Sequence, residues 1–164
     1  MKINIFGYNI FAKGGTSRSN INLVKSLLEI GHEVHYFNYQ DYNKSDITKL
    51  IIYEGLSTKH LHIHQFNSGK ELAHGDLLII TRETFFNHAY LVKKINSKIK
   101  IVGEIHGPLE YINENIDLAL DCIDCVRVST ARIKNEFIAK YDYHRVFNQY
   151  VNALHIYLKS EQIN

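Results

Sequence analysis

Two adjacent glycines, Gly14 and Gly15, followed by Thr16 and Arg18, are the residues of this chain best suited to receive an anion. A glycine pair lets a ligand approach the backbone with no side chain in the way. A helix that opens there presents unpaired N–H groups and the positive end of its dipole, which suits a diphosphate or a sugar. Two glycines alone are also compatible with a merely structural turn. The loop matches neither G-x-G-x-x-G nor G-x-x-x-x-G-K-[ST]. The second apolar run ends Tyr36-Phe37-Asn38-Tyr39-Gln40, with no acid for a ribose until Asp41. A nucleotide-binding oxidoreductase is therefore the weakest reading.

Two further groupings invite chemistry. His60, His62 and His64 alternate with Leu61 and Ile63, so on a strand all three imidazoles would share one face. Metal ligands usually need nearby carboxylate or backbone partners, which this stretch does not supply locally, so no metal is expected. Cys122 and Cys125 have C-x-x-C spacing, but Cys125 opens a strand-like run rather than a helix, and no second pair exists to complete a zinc site. They read as reduced, largely buried thiols. Aromatic residues near loops, among them Tyr8, Phe11, Tyr39, Tyr42, Phe85 and Phe86, have faces on which sugars could stack, although core and rim packing explains most of them.

The elements that must position these groups alternate regularly. Strands are expected at 3–6, 33–38, 61–66, 77–81, 99–105, 126–129 and 145–151. The first helix carries Leu23, Val24, Leu27 and Leu28 at helical spacing, with Thr16, Ser17 or Ser19 as its cap and Gly31 in a left-handed position after it. Helices are also expected within 41–57, over 86–95 and 110–120, and after Thr130, where Ile133, Phe137 and Tyr141 lie four apart. Such alternation is the signature of an α/β protein, Rossmann-like, with three αβα layers and a mostly parallel sheet. One domain is expected over 1–152, with 153–164 as a tail or the start of a connection.

Composition narrows the class. The 164 residues are 45% hydrophobic and 22% charged, with 19 basic against 17 acidic side chains and a net charge of +2. That balance implies no nucleic-acid partner by itself. No apolar run approaches the roughly 20 residues of a membrane span, and no signal peptide is visible at the start. A cytoplasmic protein is expected, with peripheral membrane contact left open.

Three short motifs together resemble glycosyltransferases of the GT-B fold, family 4. They are the opening Met1-Lys2-Ile3-Asn4-Ile5-Phe6-Gly7 with Lys13-Gly14-Gly15-Thr16 and a helix ending Gly31-His32-Glu33-Val34, then Val102-Gly103-Glu104-Ile105-His106-Gly107, and last Val128-Ser129-Thr130 with Lys134 and Phe137. The resemblance covers nearly the whole chain and equates it with the N-terminal, acceptor-side domain. It implies that Gly14 and Gly15 approach the donor diphosphate or the acceptor, with Thr16 and Arg18 at the helix start. His106 would contact the transferred sugar or lie beside the reacting centre, with Gly107 next to it. Arg82 and Glu83 would line the acceptor pocket. Asn152 would mark the exit from the domain, although the family's N-G step stands here as Asn152-Ala153.

The resemblance implies a retaining transfer from a nucleotide sugar to a saccharide or cell-envelope acceptor, with no tightly bound cofactor. It also implies a C-terminal donor-binding domain or separate subunit, because the family's sugar-nucleotide site and E-x7-E motif lie beyond the position of Asn152. The expectation is a fragment, a truncated product or a subunit that is inactive alone. A noncatalytic saccharide-binding or partner-stabilising module of the same fold is the alternative. A sugar-nucleotide epimerase or polyol-phosphate transferase ranks below both.

Overall fold

The computed structural model describes residues 1–112 and 115–148, which form a parallel sheet flanked by helices. The strands are β1 (Lys2–Gly7), β2 (Glu33–Asn38), β3 (Leu61–Gln65), β4 (Leu77–Ile80), β5 (Lys100–Ile105), β6 (Cys125–Val128) and β7 (Val146–Asn148). The α-helices are α1 (Gly15–Glu29), α2 (Lys44–Glu54), α3 (His88–Ile95), α4 (Asp117–Cys122) and α5 (Ala131–Tyr141). Strand order is β3-β2-β1-β4-β5-β6-β7, and every described pairing is parallel. The chain runs outward from β1 to β3 and then returns to β1's other side for β4. β1 and β4 therefore form the topological switch point, and the carboxyl edge there is where open α/β sheets commonly place a ligand crevice.

Alternation along the strands divides the core in two. Ile3, Ile5, Val34, Tyr36 and Ile79 pack against Ile21, Leu23, Val24 and Leu27 of α1, with Leu50 and Ile51 of α2 at the margin. Phe6, Leu78, Ile80, Ile101, Val126 and Val128 face Ala89 and Val92 of α3, Ala119 and Leu120 of α4, and Ile133 and Phe137 of α5. The three-layer expectation is thus realised, with a sheet parallel throughout rather than mostly so.

Local chemistry sets the boundaries. Gly31 has φ +89°, and the Thr130 side chain accepts the Ile133 N–H at 3.2 Å, as the sequence predicts. The cap of α1 differs: Gly14 holds that position, and the Ser17 hydroxyl turns back to donate to the Asn9 carbonyl at 2.7 Å. In place of the single helix expected over 110–120 there are a 3₁₀ turn at Leu109–Tyr111 and then α4 from Asp117, whose N–H the Asn115 side chain accepts at 3.1 Å. His60 precedes β3, so only His62 and His64 share its face. The strand residues expected beyond Asn148, the domain boundary at 152 and Asn152 itself lie outside the described residues. Neither cysteine is in a disulfide, and burial pushes the Cys122 thiol up, away from a reactive thiolate. Among the described residues no helix is long and apolar enough to cross a membrane.

Candidate functional site

The loop from β1 to α1 is fixed at its base by polar groups buried beneath it. Asn38, at the end of β2, accepts the Ile10 N–H at 2.8 Å and donates to the Gln40 carbonyl at 2.7 Å. Asn20 of α1 donates to the Tyr36 hydroxyl at 2.9 Å and to Thr81 at 3.3 Å, and Thr81 donates to the Phe6 carbonyl at 3.0 Å. A Cβ on Gly7 would overlap the Tyr36 hydroxyl, so this network needs glycine at the end of β1. Burial pushes the Tyr36 hydroxyl well above its ordinary pKa and keeps it a neutral phenol.

The far end of the loop is open. Gly14, Gly15 and Thr16 are exposed, and Gly14 has φ +150°. The first turn of α1 has neither a side-chain cap nor an acidic residue. The earliest backbone bond closing the helix runs from the Arg18 N–H to the Gly14 carbonyl, 3.0 Å. The N–H groups of Gly15, Thr16 and Ser17 precede it and have no helical acceptor, as expected of a first turn. Arg18 does not reach over this turn. Its guanidinium makes a bidentate pair with Glu54 at the end of α2, at 2.9 and 2.7 Å, and Lys25 joins the same carboxylate at 2.9 Å. A cleft of about 820 Å³ opens beside Gly14, lined among others by Ile10, Phe11, Lys13, Arg18, Leu50 and Tyr53.

Across the crevice, the residues that follow β4 and β5 are linked to one another. Arg82 lies with its guanidinium 4.7 Å from the centre of the Tyr8 ring, joining the loops after β1 and β4. Glu83 accepts the His106 N–H at the long distance of 3.5 Å, and its other oxygen would stand 3.2 Å from a Cβ on Gly107. His106 is half-buried, and its Nε2 lies 2.7 Å from Glu104 Oε2. Glu104 in turn pairs through Oε1 with Arg127 of β6, a strand neighbour in register. A carboxylate held by arginine accepts hydrogen bonds, so the His106 Nε2–H donates to Glu104, which fixes the plane of the imidazole.

The sequence-derived residues therefore fall into two groups at one sheet edge. Gly14, Gly15, Thr16 and Arg18 stand at the start of α1; Arg82, Glu83, His106 and Gly107 stand after β4 and β5. The cleft belongs to the first group, and the second does not line it. Sequence reasoning passed over Glu104 and Arg127. The signal was available: each is a charged residue inside a short apolar strand, Ile-Val-Gly-Glu-Ile and Cys-Val-Arg-Val, and buried charges are retained when paired.

No family model and no curated protein sequence matches the chain. Solved structures do match in fold. A glycosyltransferase from Rickettsia africae ESF-5 superposes with a TM-score of 0.64 at 16% identity, over 90% of this chain and 42% of that one. An α-glucosyltransferase in complex with UDP and a 13-mer DNA containing an HMU base gives 0.60 at 14% identity, over 90% and 41%. An α-glucosyltransferase in complex with UDP gives 0.52 at 14%, over 90% and 43%. The chain spans about two fifths of the length of these structures.

These matches correct one expectation. Nucleic acid had no place among the partners expected from the sequence, yet several fold relatives are complexes with DNA. A whole-chain charge balance averages over the surface, and one domain's average says nothing of a basic face elsewhere in a larger enzyme. At the level of fold, the chain is a Rossmann-like α/β domain of the kind found in GT-B glycosyltransferases.

Proposed function

We propose that this chain is the acceptor-side domain of a retaining glycosyltransferase that uses a nucleotide sugar and is completed by a donor-binding domain or subunit. The observation that supports this most is that both groups stand at the carboxyl edge of the sheet. An exposed, uncapped helix start carrying Gly14 and Gly15 flanks the crevice on one side, and His106 with its buried Glu104 and Arg127 partners stands on the other. The α1 N–H groups would stabilise charge on the departing diphosphate, and the positioned His106 would contact the transferred sugar. Glu104 fixes the imidazole's orientation without touching the sugar itself. The cleft between the first loop and α2 has the volume and apolar lining to seat an acceptor, with Arg18 and Lys13 on its wall.

A saccharide or cell-envelope acceptor is the first reading. DNA is a second, favoured by the DNA complexes among the fold relatives. The test combines this chain with its donor-binding half and measures UDP release from UDP-glucose and related nucleotide sugars. Oligosaccharides and duplex DNA are offered as separate acceptors. Acceptor-dependent release supports the proposal, and the acceptor that raises it chooses between the two readings. No release with any donor contradicts transfer and favours a saccharide-binding module.

A further inference from the structure

Far from that crevice, at the amino end of the sheet's outer strands, a carboxylate and three imidazoles meet. Parallel pairing of β2 with β3 sets His35 opposite His62 and Phe37 opposite His64. Glu33, two residues before His35, shares its face. Glu33 Oε1 is 2.6 Å from His35 Nε2 and 3.9 Å from His62 Nε2, and ligand atoms of the three residues all lie within 4.8 Å of one another. On its inner side, His35 Nδ1 is 2.8 Å from His64 Nε2. The row of alternating histidines in β3 thus finds on β2 the carboxylate it lacks locally.

We propose that Glu33, His35 and His62 form a binding site for a divalent transition-metal ion such as Zn2+, with His64 orienting His35. Two imidazoles and a carboxylate are a ligand set that zinc accepts, and bonds of about 2.0–2.2 Å place neighbouring tetrahedral ligands roughly 3.3–3.6 Å apart. The observed separations of 2.6 and 3.9 Å straddle that range, and the His35 and His62 rings, stacked with centroids 4.4 Å apart, would turn toward a common centre on binding. Glu33 and His62 are each close to half exposed, at 46% and 47%, which gives an entry path and leaves room for water as a further ligand. His35 is the inner ligand, at 13% exposure.

The hydrogen bonds can reverse without a net change in protons. Without metal, His64 Nε2–H donates to His35 Nδ1, and His35 Nε2–H donates to Glu33. With metal on His35 Nε2, Nδ1–H donates to His64 Nε2, and the ring hydrogen of His64 shifts from Nε2 to Nδ1. Such an outer partner fixes the ring of a ligating histidine. The ion would tie the edge strand β3 to β2, a structural role separate from sugar transfer.

The test titrates the metal-free chain with Zn2+ by calorimetry and with Co2+ by its visible absorption, for wild type, Glu33→Gln, His62→Ala and the exposed-histidine control His74→Ala. Far-UV circular dichroism checks that each variant is folded. The expected result is one Zn2+ per chain, a Co2+ spectrum of low coordination number, and loss of at least about tenfold in affinity in both ligand variants but not in the control. No binding by the wild type, or binding unchanged in both folded ligand variants, overturns the site.

Discussion

Glu104 and Arg127 are register partners on β5 and β6, and their side chains form an ion pair at only 1% and 4% exposure. The remaining Glu104 oxygen holds His106, so the cation in one strand fixes an imidazole at the mouth of the next. Removing the guanidinium would leave a buried carboxylate without its counter-charge, a larger penalty than the pair's net worth. Arg127→Met is expected to lower unfolding stability by about 3–5 kcal/mol. The double variant Glu104→Leu/Arg127→Met should recover most of that loss, because it removes both charges. Urea denaturation of the three proteins checks this, and a double variant as weak as the single one would contradict it.

Gly103, inside β5, faces the Phe86 ring. A Cβ there would stand 2.6 Å from its Cζ, and Phe86 is fully buried with no room to retreat. Gly103→Ala should therefore cost about 1–3 kcal/mol by overpacking. A thermal melt reads the difference.

Gly15 gives the opposite expectation. Nothing lies within 4 Å of a Cβ built on it, so Gly15→Ala should change stability by no more than about 0.5 kcal/mol. If a diphosphate or sugar approaches the backbone there, the added methyl group should still weaken nucleotide-sugar use. A variant with unchanged stability and unchanged KM in the completed enzyme would remove Gly15 from the site.

Glu54 makes the first loop's surroundings sensitive to acid. Hydrogen bonds from Arg18 and Lys25 hold its carboxyl down to about 2, against roughly 4.3 in an unfolded chain. The folded state therefore takes up this proton later than the unfolded one. The stabilisation is complete above the unfolded value and is lost as pH falls from about 4.3 toward 2. Melting temperatures of wild type and Glu54→Gln should differ most near neutrality, with the gap closing as pH falls from about 4.3 toward 2. A gap that does not depend on pH would show that the pair adds nothing.

Much of this molecule is legible from sequence because its strands are short apolar runs separated by glycines and caps that act locally. All seven strands fall where Ile3–Phe6 and its successors place them, although the last is described only to Asn148. What was hidden depends on register. Ser17 and Ser19 look like caps as well as Thr16 does, until the Asn9 carbonyl claims the Ser17 hydroxyl. Arg18 reads as a free cation until α2 brings Glu54 to it from 36 residues away. Glu104 with Arg127, and His62 with Glu33, are neighbours only once parallel strands pair, and no local spacing encodes that.

Sugar transfer by the completed enzyme, compared between wild type, His106→Ala and the exposed control His144→Ala, bears most heavily on the proposed function. The expected result is nucleotide-sugar consumption that falls at least about a hundredfold in His106→Ala, the scale of a positioned imidazole, and stays unchanged in the control. Equal consumption by wild type and folded His106→Ala would contradict a role for this edge of the sheet in handling the sugar.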